Sequence, residues 1–112
     1  MNNEKKEITV LNGGVSEDTI LTWKSKHRKV YEISVTDDNV KYKGYFKRPD
    51  MATMSAASQL LKKDEVQSSE VLLKNCWLGG DPIMLEDTII KMEAIAQLSL
   101  IFGSCTGELK NL

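Results

Sequence analysis

The stretch that decides the fold is Asn75-Cys76-Trp77-Leu78-Gly79-Gly80-Asp81-Pro82. An apolar helical pattern precedes it and another follows, so it predicts a joint between two helices. Glycine is typical of the left-handed position just past a helix end, and we assign that position to Gly79. Asp81 before Pro82 is typical of a helix start, with aspartate as the cap and proline at the first helical position. We therefore expect two helices to meet here, with Trp77 buried in the joint.

Four helices are predicted from the spacing of apolar residues and from their capping residues. Ser16 is a candidate cap for the first helix and Asp50 for the second. The predicted bounds are about 17–28, 50–63, 65–77, and from Pro82 or Leu85 to about Phe102. The second half of the fourth helix is apolar around nearly its whole circumference. Such a helix is either the central core helix or part of a subunit interface.

A β-hairpin is predicted between the first two helices. Apolar and polar residues alternate over 30–35 and again over 40–46, on either side of a polar turn at 36–39. A two-stranded hairpin is only marginally stable in water, so a helix or a further strand must cover its apolar face. Residues 8–11 are a candidate for one more short strand.

These elements predict an α+β fold, in which an N-terminal helix and an antiparallel β-hairpin precede a three-helix C-terminal bundle. The 112 residues match the size of a single domain. We place that domain at 16–112, and we treat 1–15 as an N-terminal segment that contains the candidate short strand.

The composition points away from membranes and from a global attraction to nucleic acid. The formal net charge is -1, and no apolar run reaches the ~20 residues that a bilayer-spanning helix needs. Cys76 and Cys105 have no second cysteine or histidine at ligand spacing, which argues against zinc and against a disulfide scaffold. The polar N-terminus does not resemble a signal peptide. We expect a cytoplasmic protein without a cofactor.

No catalytic or metal-binding constellation is evident. His27, the only histidine, has no partner at motif spacing and is typical of a helix-end histidine, although a general base assembled in three dimensions stays open. Cys76 lies on an apolar face, which does not lower a thiol pKa. Asp81, Glu86 and Asp87 supply few oxygen ligands, and a helix start explains them. We therefore predict that the protein is not an enzyme, and we assign no catalytic, cofactor-binding or metal-binding residue.

Two surfaces are candidates for binding a partner. The fourth helix carries more apolar surface than a domain of this size can easily bury, so part of it should contact a protein partner or a second copy. The residues predicted for that contact are Ile90, Ile95, Leu98, Ile101 and Phe102.

The second surface is the basic region between residues 24 and 48. Its side chains are either a phosphate-binding face with Tyr45 interleaved, or a solvated hairpin edge on which lysines deter aggregation. The basic residues are Lys24, Lys26, Arg28, Lys29, Lys41, Lys43, Lys47 and Arg48.

Four segments also carry a family resemblance. They are Trp23-Lys24, Val30-Tyr31-Glu32-Ile33, Tyr45-Phe46-Lys47-Arg48-Pro49-Asp50-Met51 and Glu70-Val71-Leu72-Leu73-Lys74-Asn75-Cys76-Trp77-Leu78-Gly79-Gly80-Asp81. Over about residues 20–112 the chain resembles small uncharacterised proteins of phages and prophages of Bacteroidetes-type bacteria. Their layout is similar to that of phage tail assembly chaperones, in which a hairpin leaves through a basic residue and proline into a helix, and a Gly-Asp turn joins later helices.

The resemblance implies a non-enzymatic chaperone in the cytoplasm of the bacterial host. Proteins of this kind bind the tape-measure protein, keep it soluble, and help tail-tube subunits polymerise around it. Many of them have a frameshift extension, and none is evident in this sequence. The alternative is a small nucleic-acid-binding or head-completion phage protein that uses the basic face over 24–48.

Overall fold

The computed structural model describes residues 7–112 and has an α+β fold, as predicted. The first six residues of the predicted N-terminal segment lie outside the described residues. The strands are β1 (Thr9–Leu11), β2 (Val30–Asp37), β3 (Val40–Lys47) and β4 (Trp77–Gly80). The helices are α1 (Glu17–Lys26), α2 (Met51–Leu61), α3 (Glu65–Cys76), α4 (Ile83–Glu86) and α5 (Thr88–Leu98), followed by a 3-10 helix over Ser99–Gly103. The first three predicted helices are confirmed, with ends that differ by one or two residues.

The four strands form one sheet with β3 at its centre. On one side, β2 pairs with β3 in the antiparallel direction along the whole length of both strands. On the other side, β1 runs parallel to the first half of β3, and β4 runs antiparallel to its second half. The predicted hairpin is therefore confirmed. Its turn is made by Asp38 and Asn39, both at positive φ, which is the backbone geometry of a tight two-residue hairpin loop.

The joint at 75–82 differs from the prediction, because Trp77–Gly80 is the strand β4 and not a helix turn. Gly79 does not lie at positive φ, so its assignment as a helix cap is wrong. Gly80 does, with φ 147°, and a Cβ atom there would lie 2.5 Å from the carbonyl oxygen of Lys43. The glycines therefore allow two backbones to approach within a sheet. Trp77 is partly buried, with its ring edge-on to that of Phe46 at 5.4 Å.

The predicted fourth helix is divided at Asp87. This residue has extended backbone angles, and its carboxylate accepts a hydrogen bond from the backbone N–H of Ile90 at 3.0 Å, which starts α5. Asp81 similarly accepts from the N–H of Ile83 at 3.0 Å, next to the start of α4. The predicted three-helix bundle is accordingly wrong in detail: α2 and α3 form a helical hairpin, and α4 and α5 pack on the sheet.

The sheet is covered on both faces. The main core lies between the sheet and α3, α4 and α5, and its buried residues are Ile33, Val35, Phe46, Leu73, Cys76, Met84, Ile90, Ala94 and Leu98. Tyr45 points to the opposite face, where it is buried beside Trp23 of α1 with the ring centroids 5.7 Å apart. The α2–α3 hairpin is held by its own contacts, which include a hydrogen bond of 2.7 Å from the Ser68 hydroxyl to the Ala57 carbonyl.

The β4 geometry leads to a prediction about Gly80. We expect Gly80→Ala to lower the free energy of unfolding by about 2 kcal/mol, within the range found for overpacked sites, because its methyl group would collide with the β3 backbone. The matched control is Gly107→Ala, where an added Cβ meets nothing within 4 Å. Urea denaturation monitored by circular dichroism measures the free energy of unfolding of both variants. Equal stability of the two variants would show that β4 does not depend on this close contact.

Candidate functional site

Helix α5 and the 3-10 helix after it carry two apolar stripes on different sides. The inner stripe consists of Ile90, Ala94, Leu98 and Ile101; its first three residues are buried in the core, and Ile101 packs against it. The outer stripe consists of Ile89, Met92, Ala96 and Leu100, all of which are exposed. Ile89 is 78% exposed and Leu100 is 67% exposed. Residues three and four apart share one helix face, so the outer stripe is a continuous apolar strip on the surface.

This arrangement changes the residues assigned to partner binding. Ile90 and Leu98 are each only 3% exposed, so their assignment is wrong: they fill the core under the sheet. Ile95 and Ile101 are partly buried against that core, whereas Phe102 is 49% exposed. The residues that the sequence interpretation missed are those of the outer stripe. Each stripe contains one alanine and three large apolar residues, so composition alone does not tell which one faces the sheet.

A groove runs beside the outer stripe, between α5 and the outer edge of β2. It consists of two adjoining cavities that meet at Ser34, with volumes of about 300 and 380 Å³. The first is lined mainly by β2 and by Leu100 and Ile101, and it is the more apolar of the two. The second reaches the acidic side chains of Asp37 and Glu93. The outer stripe and this groove share Ile89 and Leu100, so they form one contiguous surface.

The predicted basic face is only partly assembled. Five of its eight residues line one cavity of about 190 Å³ together with His27. These five are Lys26, Arg28, Lys29, Lys47 and Arg48. The guanidinium of Arg48 donates a hydrogen bond of 2.9 Å to the Tyr31 hydroxyl, and this bond raises the pKa of Arg48 further above its ordinary value.

The other three basic residues lie elsewhere. Lys43 forms an ion pair of 3.2 Å with Glu32, and Lys41 lies near the turn end of β3, opposite Thr36. Lys24 lies beside Leu21 on α1. We call the five residues that converge with His27 the basic cavity. The three others do not line this cavity.

Among the remaining titratable candidates, the thiol of Cys76 is shielded from solvent. Cys76 is completely buried, and burial raises the pKa of its thiol to about 11. A thiol with such a pKa is protonated at neutral pH and is a poor nucleophile. Within residues 7–112, no group of three or more histidine, cysteine, aspartate or glutamate side chains converges in a way that could hold a metal ion. In the same range, no helix combines the length and apolar character needed to cross a lipid bilayer.

Comparison with known proteins identifies the fold and no family. No family model matches the chain, and no curated protein matches it. Among solved structures, the chain is similar to that of an uncharacterised protein from Bacillus stearothermophilus, with 18% sequence identity and a TM-score of 0.58. The match covers 82% of this chain and 99% of that chain. At this identity the likeness shows a shared α+β fold.

The burial of Cys76 predicts a difference between the two thiols. In the native protein at pH 8, we expect iodoacetamide to modify the exposed Cys105 and to leave Cys76 protonated and unmodified. Mass spectrometry after a timed reaction measures the modification of each residue. The control is Cys105→Ser, which should take up no label until denaturant is added. Rapid native labelling of Cys76 would contradict the core described here.

Proposed function

We propose that this protein is a non-enzymatic assembly chaperone of the phage tail type, acting in the cytoplasm of the bacterial host. It would bind the tape-measure protein or a tail-tube subunit through the outer stripe of α5. The observation that carries the proposal is the exposed apolar strip formed by Ile89, Met92, Ala96 and Leu100. Contiguous apolar surface of this kind is typical of interaction sites. The inner stripe anchors the helix to the sheet, so the outer stripe is presented on a rigid element.

The geometry suits an amphipathic helix as the bound segment. A helix that lies along a groove or strip contacts it through residues spaced three and four apart, which is also the spacing of the outer stripe. Burying each large apolar side chain contributes about 1.5–3 kcal/mol before the entropy of association is subtracted. Three such side chains and one alanine therefore support weak, reversible binding. Reversible binding fits a chaperone that must release its partner as the tail assembles.

The test of this proposal is binding of the co-expressed tape-measure protein by variants of the full chain. We expect Met92→Glu to weaken co-purification at least about tenfold, because a buried carboxylate next to apolar partner side chains is strongly disfavoured. The matched control is Met51→Glu, since Met51 is also an exposed methionine but lies at the start of α2. Thermal melts of both variants should match that of the natural chain.

The result is decisive because the two substitutions are chemically identical. Equal binding by both variants, or equal loss in both, would count against the outer stripe as the contact surface. Sedimentation velocity of the isolated chain tests whether the outer stripe contacts a second copy of the chain. A dimer that Met92→Glu dissociates would assign the outer stripe to a second copy.

The second candidate function is nucleic-acid binding, and the basic cavity favours it. Lys29 and Lys47 lie there with three other basic residues, in a chain whose net charge is -1. Convergence of this kind concentrates positive potential that the whole molecule does not have.

Salt dependence distinguishes this candidate from the chaperone. If the protein is a chaperone, we expect fluorescence anisotropy to detect no binding of a 20-base-pair duplex at physiological salt. Affinity that falls with rising salt, with a log–log slope of about 0.9 for each phosphate contact, would support the nucleic-acid function. In that case, the double variant Lys29→Gln, Lys47→Gln should lower the slope, and Lys41→Gln, outside the basic cavity, should leave it unchanged.

A further inference from the structure

The outer edge of β2 is an unpaired strand edge. The two-residue loop at Asp38 and Asn39 makes Asp37 and Val40 a hydrogen-bonded pair, and such pairs alternate along an antiparallel ladder. The backbone groups of Glu32, Ser34 and Thr36 therefore point away from β3. Within residues 7–112, no backbone hydrogen bond outside the hairpin reaches β2. The edge thus presents a row of free donors and acceptors.

This edge also has few of the features that normally prevent a strand from pairing with another chain. Natural proteins protect such edges with short strands, proline, bulges or lysine side chains. β2 has eight residues, contains neither proline nor lysine, and pairs with β3 without a bulge. Helix α5 lies beside the edge without covering it, because the groove separates them. An added strand would therefore have both a hydrogen-bonding partner and a space for its side chains.

The charge of the groove decides what kind of strand fits. Asp37 and Glu93 lie on the α5 side of the groove, whereas the carboxylate of Glu32 pairs with Lys43 on the opposite face of the sheet. No lysine or arginine lines either cavity. Arg48 lies at the other end of the groove, where it donates a hydrogen bond of 2.9 Å to Tyr31, a lining residue of the first cavity. The end of the groove at Asp37 and Glu93 is therefore complementary to a basic segment.

We propose that the free edge of β2 binds an extended, basic segment of a partner protein as a fifth strand of the sheet. Lysine or arginine side chains of that segment would lie beside Asp37 and Glu93, and its apolar side chains beside Leu100 and Ile101. The inference rests on the proposed protein-binding function and adds a second contact, with an extended basic segment, to the helix that the outer stripe would bind. Main-chain hydrogen bonds give affinity in this mode, and the groove gives specificity.

The experiment uses the full chain and synthetic eight-residue peptides with blocked ends. Side chains alternate between the two faces of a strand, so only every second residue of a bound peptide faces α5. In the first peptide those positions are lysine in one half and valine in the other, with threonine at the intervening positions. A second peptide has glutamate in place of lysine, and a third is the first peptide with alternate backbone nitrogens methylated. We expect isothermal titration calorimetry to detect binding of the first peptide only. Its binding should slow amide hydrogen exchange at Glu32, Ser34 and Thr36, measured by NMR, and leave exchange at Ile33 unchanged.

Two variants test the edge and the charge separately. Ser34→Pro removes an outward-pointing N–H, so it should abolish peptide binding. The strand itself should still form, since proline is tolerated where the strand N–H faces solvent. Glu93→Lys should weaken binding about tenfold by placing like charges together. The matched control is Glu65→Lys, which lies at the tip of the α2–α3 hairpin and should bind as the natural chain does. The Met92→Glu variant should retain peptide binding within about twofold, because β2 supplies the hydrogen bonds.

Three results would overturn the inference. They are equal binding of all three peptides, unchanged exchange at the edge of β2, or a dimer of the free chain that Ser34→Pro dissociates. The last result would assign the edge to a second copy. If Met92→Glu abolishes binding of the tape-measure protein while Ser34→Pro and Glu93→Lys do not, the inference fails and the proposed function stands. If none of the three substitutions affects that binding, the proposed function fails.

Discussion

The close pairing of β4 with the second half of β3 is the constraint on which the other elements depend. Its backbones approach so closely that a side chain at Gly80 would strike the Lys43 carbonyl, and one at Gly44 would strike the Trp77 ring. The pairing extends past the strand, where the N–H of Asp81 donates to the Lys43 carbonyl at 2.9 Å. Since α3 leads into β4 and α4 leads out of it, this short strand fixes both helices relative to the sheet.

The same strand also holds the N-terminal part of the molecule. A Cβ atom at Gly13, in the loop after β1, would lie 2.0 Å from the Gly80 carbonyl oxygen, so this loop rests directly on β4. The Trp23 ring lies over Gly79 on the face opposite the core. With β1 and β4 placed end to end, one side of β3 is fully occupied. β2 then forms one edge of the sheet, and the break at Asp87 directs α5 alongside it.

Sequence reasoning succeeded where the signal is local. The hairpin, helices α1 to α3 and the caps Ser16 and Asp50 follow from patterns within a few residues, and the structure has them. β4 was missed because a four-residue strand between two helical patterns has no period of its own. Its glycines fit a helix end equally well in sequence, and only the distant β3 backbone shows why they are needed. Pairing between residues that are more than thirty positions apart leaves no local trace.

At the candidate site, the side of α5 that faces the sheet could not be predicted from local sequence either. The stripes that begin at Ile89 and Ile90 have nearly the same composition, and packing against β2 determines which one is buried. Because Ile89 and Leu100 belong both to the outer stripe and to the groove, a partner on one surface alters access to the other. A single partner that engages both would gain from the effective concentration that the first contact creates. Each contact can then be weak by itself, while the two together hold the partner more tightly than either one alone.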